Sequence, residues 1–264
     1  MIHPGPTSDL RLTLIQSDLC WHEPEKNRAA FSAKISALHG KTDLVLLPEM
    51  FTSGFTTDID GLENLGSPTT VWMQEQAKES GAAICGSTVY AVDGGHTNRM
   101  LFVTPDGNVQ HYDKTHLFRM AGEHERYVAG NERVVVRYLN WNILLLICYD
   151  IRFPVFCRNR QDYDLAVCVA NWPAARREPW RTLLQARAME NLTYVAGVNR
   201  VGVDGNGLDY AGDSLLANFK GQLEIDQAVG EEFVETVTLS AAGLAGFRDK
   251  FQAWRDADDF EIKL

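Results

Sequence analysis

The sequence predicts an α/β protein, a four-layer α-β-β-α sandwich in which two mixed sheets pack face to face with helices outside. Three observations lead there. Strand-like and helix-like segments alternate as βαβα and then give way to hairpins, which fits neither a doubly wound sheet nor a sandwich of strands alone. A faint internal echo doubles that pattern: Asp43-Leu44-Val45-Leu46-Leu47-Pro48 is repeated in kind by Asp164-Leu165-Ala166-Val167-Cys168-Val169, and a turn at Gly107 by one at Gly221. No Pro/Gly/Ser-rich linker or charge block divides the chain, so residues 1–264 are expected to form one domain.

Leu10 to Gln16 reads as the first strand. Pro24 to His39 reads as a helix with Asn27, Phe31, Ile35 and Leu38 on one face and Gly40 closing it. Asp43 to Leu47 is a short buried strand ended by Pro48. Ser67-Pro68 supplies an N-cap and first-turn proline for a helix to about Ser80. Ile84–Val92, Arg99–Val103 and Val109–Tyr112 read as a meander whose second connection is Pro105-Asp106-Gly107-Asn108. Val134–Tyr138 and Asn142–Ile147 pair around Leu139-Asn140-Trp141. Phe153 to Arg160 is expected to be helical, Leu165–Val169 a buried strand and Glu178–Glu190 a helix. Strands at Tyr194–Val198, Ser214–Ala217, Leu223–Ile225 and Glu232–Leu239 follow, and Asp204 to Gly212, with three glycines, reads as an exposed loop. The segment from about 240 to 264 carries Phe247, Phe251 and Trp254 at helical spacing, while Phe260–Leu264 alternates like a strand. Its aromatics suit docking on the core or on a partner subunit.

Composition narrows the function. A net charge of −10 and no basic run oppose binding to nucleic acid or an anionic membrane. No apolar run reaches membrane-spanning length. The first eight residues carry neither the basic patch nor the apolar stretch of a secretory signal. Five scattered cysteines without a Cys-x-x-Cys pair fit reduced thiols in a cytoplasm rather than disulfides or zinc.

Three islands carry chemistry. Leu144-Leu145-Leu146-Ile147 is an unbroken aliphatic strand that stops at Cys148, with Pro154 placed to open a helix. A thiol leaving the strand's carboxyl end toward the amides of the next turn is expected to have a lowered pKa, and the Tyr149 backbone N–H to serve as an oxyanion donor. Its alternative is a small buried hydrophobe. Glu49 follows Val45-Leu46-Leu47-Pro48, a poorly solvated spot suited to a general base; the alternative is a loop glutamate on the surface. Lys114, in His111-Tyr112-Asp113-Lys114-Thr115-His116-Leu117-Phe118, is either a solvated lysine or an ammonium for an oxyanion.

Together the three islands resemble the nitrilase (carbon–nitrogen hydrolase) superfamily, which carries a Glu, a Lys and a Cys in this order. The contexts are Leu47-Pro48-Glu49, Lys114-Thr115-His116-Leu117-Phe118 and Cys148-Tyr149-Asp150-Ile151-Arg152-Phe153-Pro154. A fourth family carboxylate falls on Glu123, ahead of Ala129-Gly130, with Glu125 as the neighbouring alternative. The resemblance runs from about Leu10 to Phe260. It implies a thioester route: Glu49 takes the Cys148 proton, Lys114 and the Tyr149 N–H hold the oxyanion, and Glu123 orients Lys114 and the amide. No metal or other cofactor enters this scheme, since Glu123-His124-Glu125 with His116 fits no recognised ligand spacing. A Cys–His hydrolase using His116 is the mechanistic rival, and a catalytically idle binding protein on the same fold is the rival of another class.

The stretches His116–His124, Val169–Pro173, Ala186–Asn191 and Tyr194–Gly202 are similar to the bacterial ω-amidase branch. That similarity implies a small-molecule amide as partner, the terminal amide of 2-oxoglutaramate or 2-oxosuccinamate, released as ammonia and a dicarboxylate oxo-acid. An N-carbamoyl amino acid, an aliphatic amide or a nitrile are the other family substrates. A small anion needs local cations, and Arg119, Arg152, Arg176 and Arg177 lie near the motifs, with Phe51, Phe118 and Trp172 as candidate walls. Pairing of family members through helices near the site implies a homodimer.

Overall fold

The computed structural model describes residues 5–62 and 64–264. Met1 to Pro4, on which the reading of the N-terminus partly rests, lie outside the described residues. Two six-stranded mixed sheets make up the body. The first contains β1 (Leu10–Gln16), β2 (Leu44–Leu46), β3 (Ala83–Val92), β4 (Gly95–Val103) and β5 (Val109–Asp113). The second contains β6 (Val135–Tyr138), β7 (Trp141–Ile147), β8 (Leu165–Val169) and β9 (Tyr194–Val198). A separate two-stranded hairpin is formed by β10 (Val201–Val203) and β11 (Asp209–Ala211). The second sheet ends with β12 (Leu215–Ala217) and β13 (Leu223–Asp226), whereas β14 (Phe233–Leu239) returns to the first.

The internal echo is topological. The first sheet runs β14-β1-β2-β3-β4-β5 and the second, read from its other edge, β6-β7-β8-β9-β12-β13. In both, successive neighbours pair antiparallel, parallel, parallel, antiparallel and antiparallel. Thus β2 corresponds to β8, and the Gly107 turn to the Gly221 turn.

Two-sided burial explains the unbroken apolar runs. Leu12, Leu14, Leu44 and Leu46 join Leu144, Leu146, Val167 and Ala196 in the core between the sheets. Val45, Leu47 and Ile84 point the other way, onto Phe31 and Ile35 of α1 (Pro24–Ser36) and Met73 and Ala77 of α2 (Gly66–Ser80). Each such side chain, fully buried, contributes about 1.5–3 kcal/mol. On the second sheet the same outer role falls to α4 (Arg177–Asn191), whose Trp180, Leu184 and Ala188 are buried. This is the four-layer α-β-β-α arrangement, and the described residues include no helix long and apolar enough to cross a membrane.

Several boundaries differ from expectation for local reasons. α1 ends at Ser36, with Gly40 (φ 71°) in the turns beyond it. α2 starts at Gly66, so Ser67 lies inside the first turn and caps nothing. β4 starts at Gly95 because Asp93-Gly94, with Gly94 at φ 87°, closes a tight hairpin. The helix expected over 153–160 is only α3 (Pro154–Cys157): the Asn159 carbonyl Oδ1 accepts the Asp162 N–H (3.0 Å), a turn that competes with helix. The expected loop at 204–212 instead holds the turn and second strand of the β10–β11 hairpin. There Asp204 Oδ1 accepts the N–H groups of Asn206 (2.8 Å) and Leu208 (3.0 Å) and closes the turn.

After β14, Ser240 caps α5 (Ala241–Lys250) by accepting the Gly243 N–H. Arg248 of α5 reaches Asp164 at 2.6 Å, and Phe247 stacks on Phe219 with ring centres 5.0 Å apart. Residues 257–264 hold no regular structure, so the strand-like alternation of Phe260–Leu264 forms none.

Candidate active site

The carboxyl ends of β2, β5, β7 and β8 converge on one small cleft. It is lined by Glu49, Lys114 and Cys148 at its base and by Phe118, Tyr149, Trp172 and Arg176 among its walls.

Glu49 is fully buried two residues beyond Leu47. Met50, in the left-handed region (φ 43°), turns the chain there, and its N–H donates to Ser87 Oγ (2.9 Å). Glu49 Oε1 accepts from Lys114 Nζ (2.9 Å) and Asn98 Nδ2 (2.8 Å), and Oε2 accepts from the Asn171 N–H (2.7 Å). A carboxylate offers about four lone-pair sites. Three are taken, so the free one lies on Oε2.

Lys114 is equally buried and follows β5, its own N–H donating to the Asn98 carbonyl (3.0 Å). The Gly130 N–H donates back to the Lys114 carbonyl (2.9 Å), and a Cβ on Gly130 would run into the Asp113 carbonyl. That packing is why a glycine is required there. Besides Glu49, Lys114 Nζ reaches both Glu123 oxygens at 3.0 Å. Burial works against the ammonium, but Glu123 and Glu49 hold its pKa well above the usual lysine value. Glu123 is buried and also accepts the Phe118 N–H (2.6 Å), whereas Glu125 is exposed. Burial pushes the Glu123 carboxyl up, against the pull of Lys114.

Cys148 sits at φ 48° where β7 ends. A non-glycine residue there stores about 1–3 kcal/mol, which the surroundings must hold. Asp150 does so: its Oδ2 accepts the Ile147 N–H (2.8 Å) and the Tyr112 hydroxyl (2.7 Å), and its Oδ1 accepts the His116 N–H (3.1 Å). His116 Nδ1 also lies 2.7 Å from Asp150 Oδ1, and the imidazole stacks on Phe153. It makes no hydrogen bond to Cys148. Tyr149 is the second residue of the 3₁₀ turn Cys148–Arg152, where a first turn leaves N–H groups without an intrahelical acceptor.

The expected lowering of the Cys148 pKa is overturned. Burial raises it, the Glu49 charge raises it further, and Lys114 offsets only part, leaving the thiol well above its ordinary value. Cys148 therefore rests protonated, beside a carboxylate with one free lone pair.

The four nearby arginines separate cleanly. Arg177 is spent on Asp213 (2.9 and 2.7 Å). Arg119 lines a neighbouring groove with His116 and His124. Arg152 and Arg176 line the cleft itself, their guanidinium groups over the rings of Trp172 (4.9 Å) and Phe118 (5.3 Å). Among the described residues neither makes an ion pair with a carboxylate. Phe51 is not a wall; it packs in the outer core against Phe31 and Trp72, and Phe55 takes that place. Glu123 and His116 are engaged by Lys114 and Asp150, and the described residues bring no group of three potential metal ligands together. Sequence reasoning missed Asn98, Asn171 and Tyr210. The signal for Asn171 was an amide just after an apolar strand, whereas Asn98, flanked by Thr97 and Arg99, and Tyr210 gave none.

Comparison with known proteins gives the same direction. The carbon-nitrogen hydrolase family model matches residues 11–248. Omega-amidase YafV of Escherichia coli (strain K12) is 46% identical over 96% of this chain and 98% of its own. The 2-oxoglutaramate amidase of Bacillus subtilis (strain 168) is 31% identical over 78% of this chain and 81% of its own. A crystal structure from Xanthomonas campestris, of a CN-hydrolase superfamily protein with an arsenic adduct in the active site, superposes with a TM-score of 0.95. It is 49% identical and covers 97% of this chain and 100% of that one. The chain belongs to the carbon-nitrogen hydrolase family.

Proposed function

We propose that the protein is an ω-amidase that hydrolyses the terminal amide of 2-oxoglutaramate, or of a similar short oxo-acid amide, to ammonia and the dicarboxylate. The observation that carries this reading is the pairing, in one small cleft, of Cys148, Glu49 and Lys114 with two arginines that no acid among the described residues neutralises. A narrow cleft walled by Phe55, Phe118 and Trp172 suits a small molecule. Guanidinium groups held over aromatic rings keep their N–H edges free for a carboxylate.

The reaction begins when the amide carbonyl carbon approaches Cys148. Its S–H proton passes to Glu49 Oε2 as the S–C bond forms, so negative charge moves from the Glu49 carboxylate to the carbonyl oxygen without a free thiolate accumulating. The oxyanion is held by Lys114 and the Tyr149 N–H. All three Lys114 N–H directions are occupied at rest, by Glu49 and by both oxygens of Glu123. One must swing from the bidentate Glu123 contact to the oxyanion. The C–N bond then breaks, and Glu49 returns its proton to the leaving nitrogen, giving ammonia and a thioester. Water attacks the thioester as Glu49 takes its proton. The C–S bond breaks, and the proton returns to sulfur. Glu123 keeps Lys114 charged and aimed.

The reading further takes residues 1–264 as a single domain with the segment from 240 docked on the core through Arg248 and Phe247. It takes the enzyme as a homodimer working in the cytoplasm, where its five free thiols suit a reducing compartment.

Ammonia release from 2-oxoglutaramate, 2-oxosuccinamate, glutamine, asparagine, an N-carbamoyl amino acid and an aliphatic nitrile, run side by side, tests the substrate class. The oxo-acid amides are expected to lead in kcat/KM. Preference for the nitrile or the N-carbamoyl compound, with the oxo-acid amides inert, would overturn the ω-amidase reading and leave the hydrolase chemistry standing.

A further inference from the structure

Asn98 is fully buried in β4, the sheet neighbour of the strand that leads to the lysine, on no wall of the cleft, and touches two charged members of the site, Glu49 and Lys114. Its Nδ2 donates to Glu49 Oε1 (2.8 Å), and its backbone carbonyl accepts the Lys114 N–H (3.0 Å). The orientation of the amide is informative. Its Oδ1 is buried and finds no protein donor among the described residues, so nothing on that side orients the group. Turned over, the amide would set Oδ1 against the Glu49 carboxylate. Leaving a buried acceptor unsatisfied is costly, and the side chain accepts that cost to keep its N–H on Glu49.

We propose that Asn98 is a positioning residue that sets the protonation of the general base. Its amide, together with Lys114 Nζ, occupies Oε1 and keeps it the anionic end, so the proton exchanged with Cys148 and with the leaving nitrogen rides on Oε2. This rests on the reading above, in which Glu49 is the base. A donor to a carboxylate favours its charged form, so losing that donor makes Glu49 easier to protonate. The other titratable and charged groups that face this cluster are Lys114, Glu123, Cys148, Cys168, Tyr127 and Tyr210, with Arg152 and Arg176 in the same cleft, and all of them are kept in the Asn98 variants.

The test is the pH profile of kcat/KM for amide hydrolysis in wild type, Asn98→Leu, Asn98→Asp and Thr97→Val. Leucine keeps the branched shape and removes the donor. Aspartate keeps the shape and adds a second carboxylate beside Glu49, which covers the case in which the leucine variant fails to fold. Thr97 is the adjacent buried residue of β4, and its hydroxyl also has no protein partner among the described residues. The acid limb is expected to rise by about one pH unit in Asn98→Leu, the scale of one lost hydrogen bond to a charged group, and by more in Asn98→Asp. It stays put in Thr97→Val. Folded Asn98 variants that lose activity at every pH with an unmoved acid limb would reduce Asn98 to packing and overturn the proposal. Glu49→Gln with normal turnover and an unchanged limb would instead overturn the assignment of Glu49 as base, a distinguishable failure.

Discussion

The two halves of the molecule repeat one strand order and put opposite chemistry at its ends. In the first half the residue after β2's apolar run is Glu49 and the one after β5 is Lys114; carried by the echo onto the second half, these positions fall on Ala170 and Ala228. Cys148 ends β7, and its counterpart after β1 is Ser17. That hydroxyl is tied to Glu232 and Lys34 at 2.6 Å each and faces no cleft. One half therefore supplies the buried charges and the other the strained Cys148, the nucleophile proposed above, with the backbone N–H groups of Tyr149 and Asn171. The comparison teaches that neither sheet holds a working site by itself. Glu49 is completed by the Asn171 N–H across the sheet interface, and the Cys148 turn by Tyr112 and His116 through Asp150.

Removing one contribution from each half should therefore do different things. Cys148→Ala should abolish turnover, about 10⁶-fold by the scale of lost nucleophiles, with the fold intact because alanine keeps the same Cβ and adds no new left-handed strain for the Asp150 contacts to hold. Lys114→Met should lower kcat by about 10²–10³ and also lower the melting temperature, since it strands two buried carboxylates. Activity assays with thermal unfolding separate the two. A Lys114→Met protein as stable as wild type would mean that the Glu49–Lys114–Glu123 cluster is not held as described.

The cleft wall sharpens the comparison at a smaller scale. Arg152→Met and Arg176→Met should each raise KM for 2-oxoglutaramate by about 10- to 100-fold, the worth of a charge-assisted hydrogen bond, with kcat changed much less. An uncharged short amide should be indifferent to both substitutions. If the uncharged amide suffers equally, these arginines shape the cleft and do not read a carboxylate.

How much of this was legible follows from where each residue gets its environment. Glu49 and Cys148 could be read because each follows a run apolar on both faces, and a polar residue at such a boundary stands out. Glu123 over Glu125 could not be settled by spacing alone. It depends on Gly122, left-handed at φ 72°, turning Glu123 inward. Phe51 and Phe55 exchanged roles because the left-handed turn at Met50 re-aims the chain, which no periodicity records. The β10–β11 hairpin stayed hidden since its three-residue strands pair with each other and add only a single bridge, from Val201 to Asp18, so Tyr210 went unseen. The sign of the Cys148 shift was misread because local context suggested helping amides, while the dominant effects are burial and a carboxylate from the other half.

The pH dependence of Cys148 alkylation by iodoacetamide, read by peptide mapping in wild type, Glu49→Gln and Lys114→Met, tests most directly whether the nucleophile rests as a neutral thiol. A raised thiol pKa means that the thiolate appears only above the pH at which a free cysteine ionises. Removing the Glu49 anion should move the Cys148 profile to lower pH while amide hydrolysis fails, because the proton carrier is gone. Removing the Lys114 cation should move it to higher pH. The order Glu49→Gln, wild type, Lys114→Met along the pH axis is the predicted result. A Glu49→Gln profile displaced to higher pH, or three coincident profiles, would contradict it.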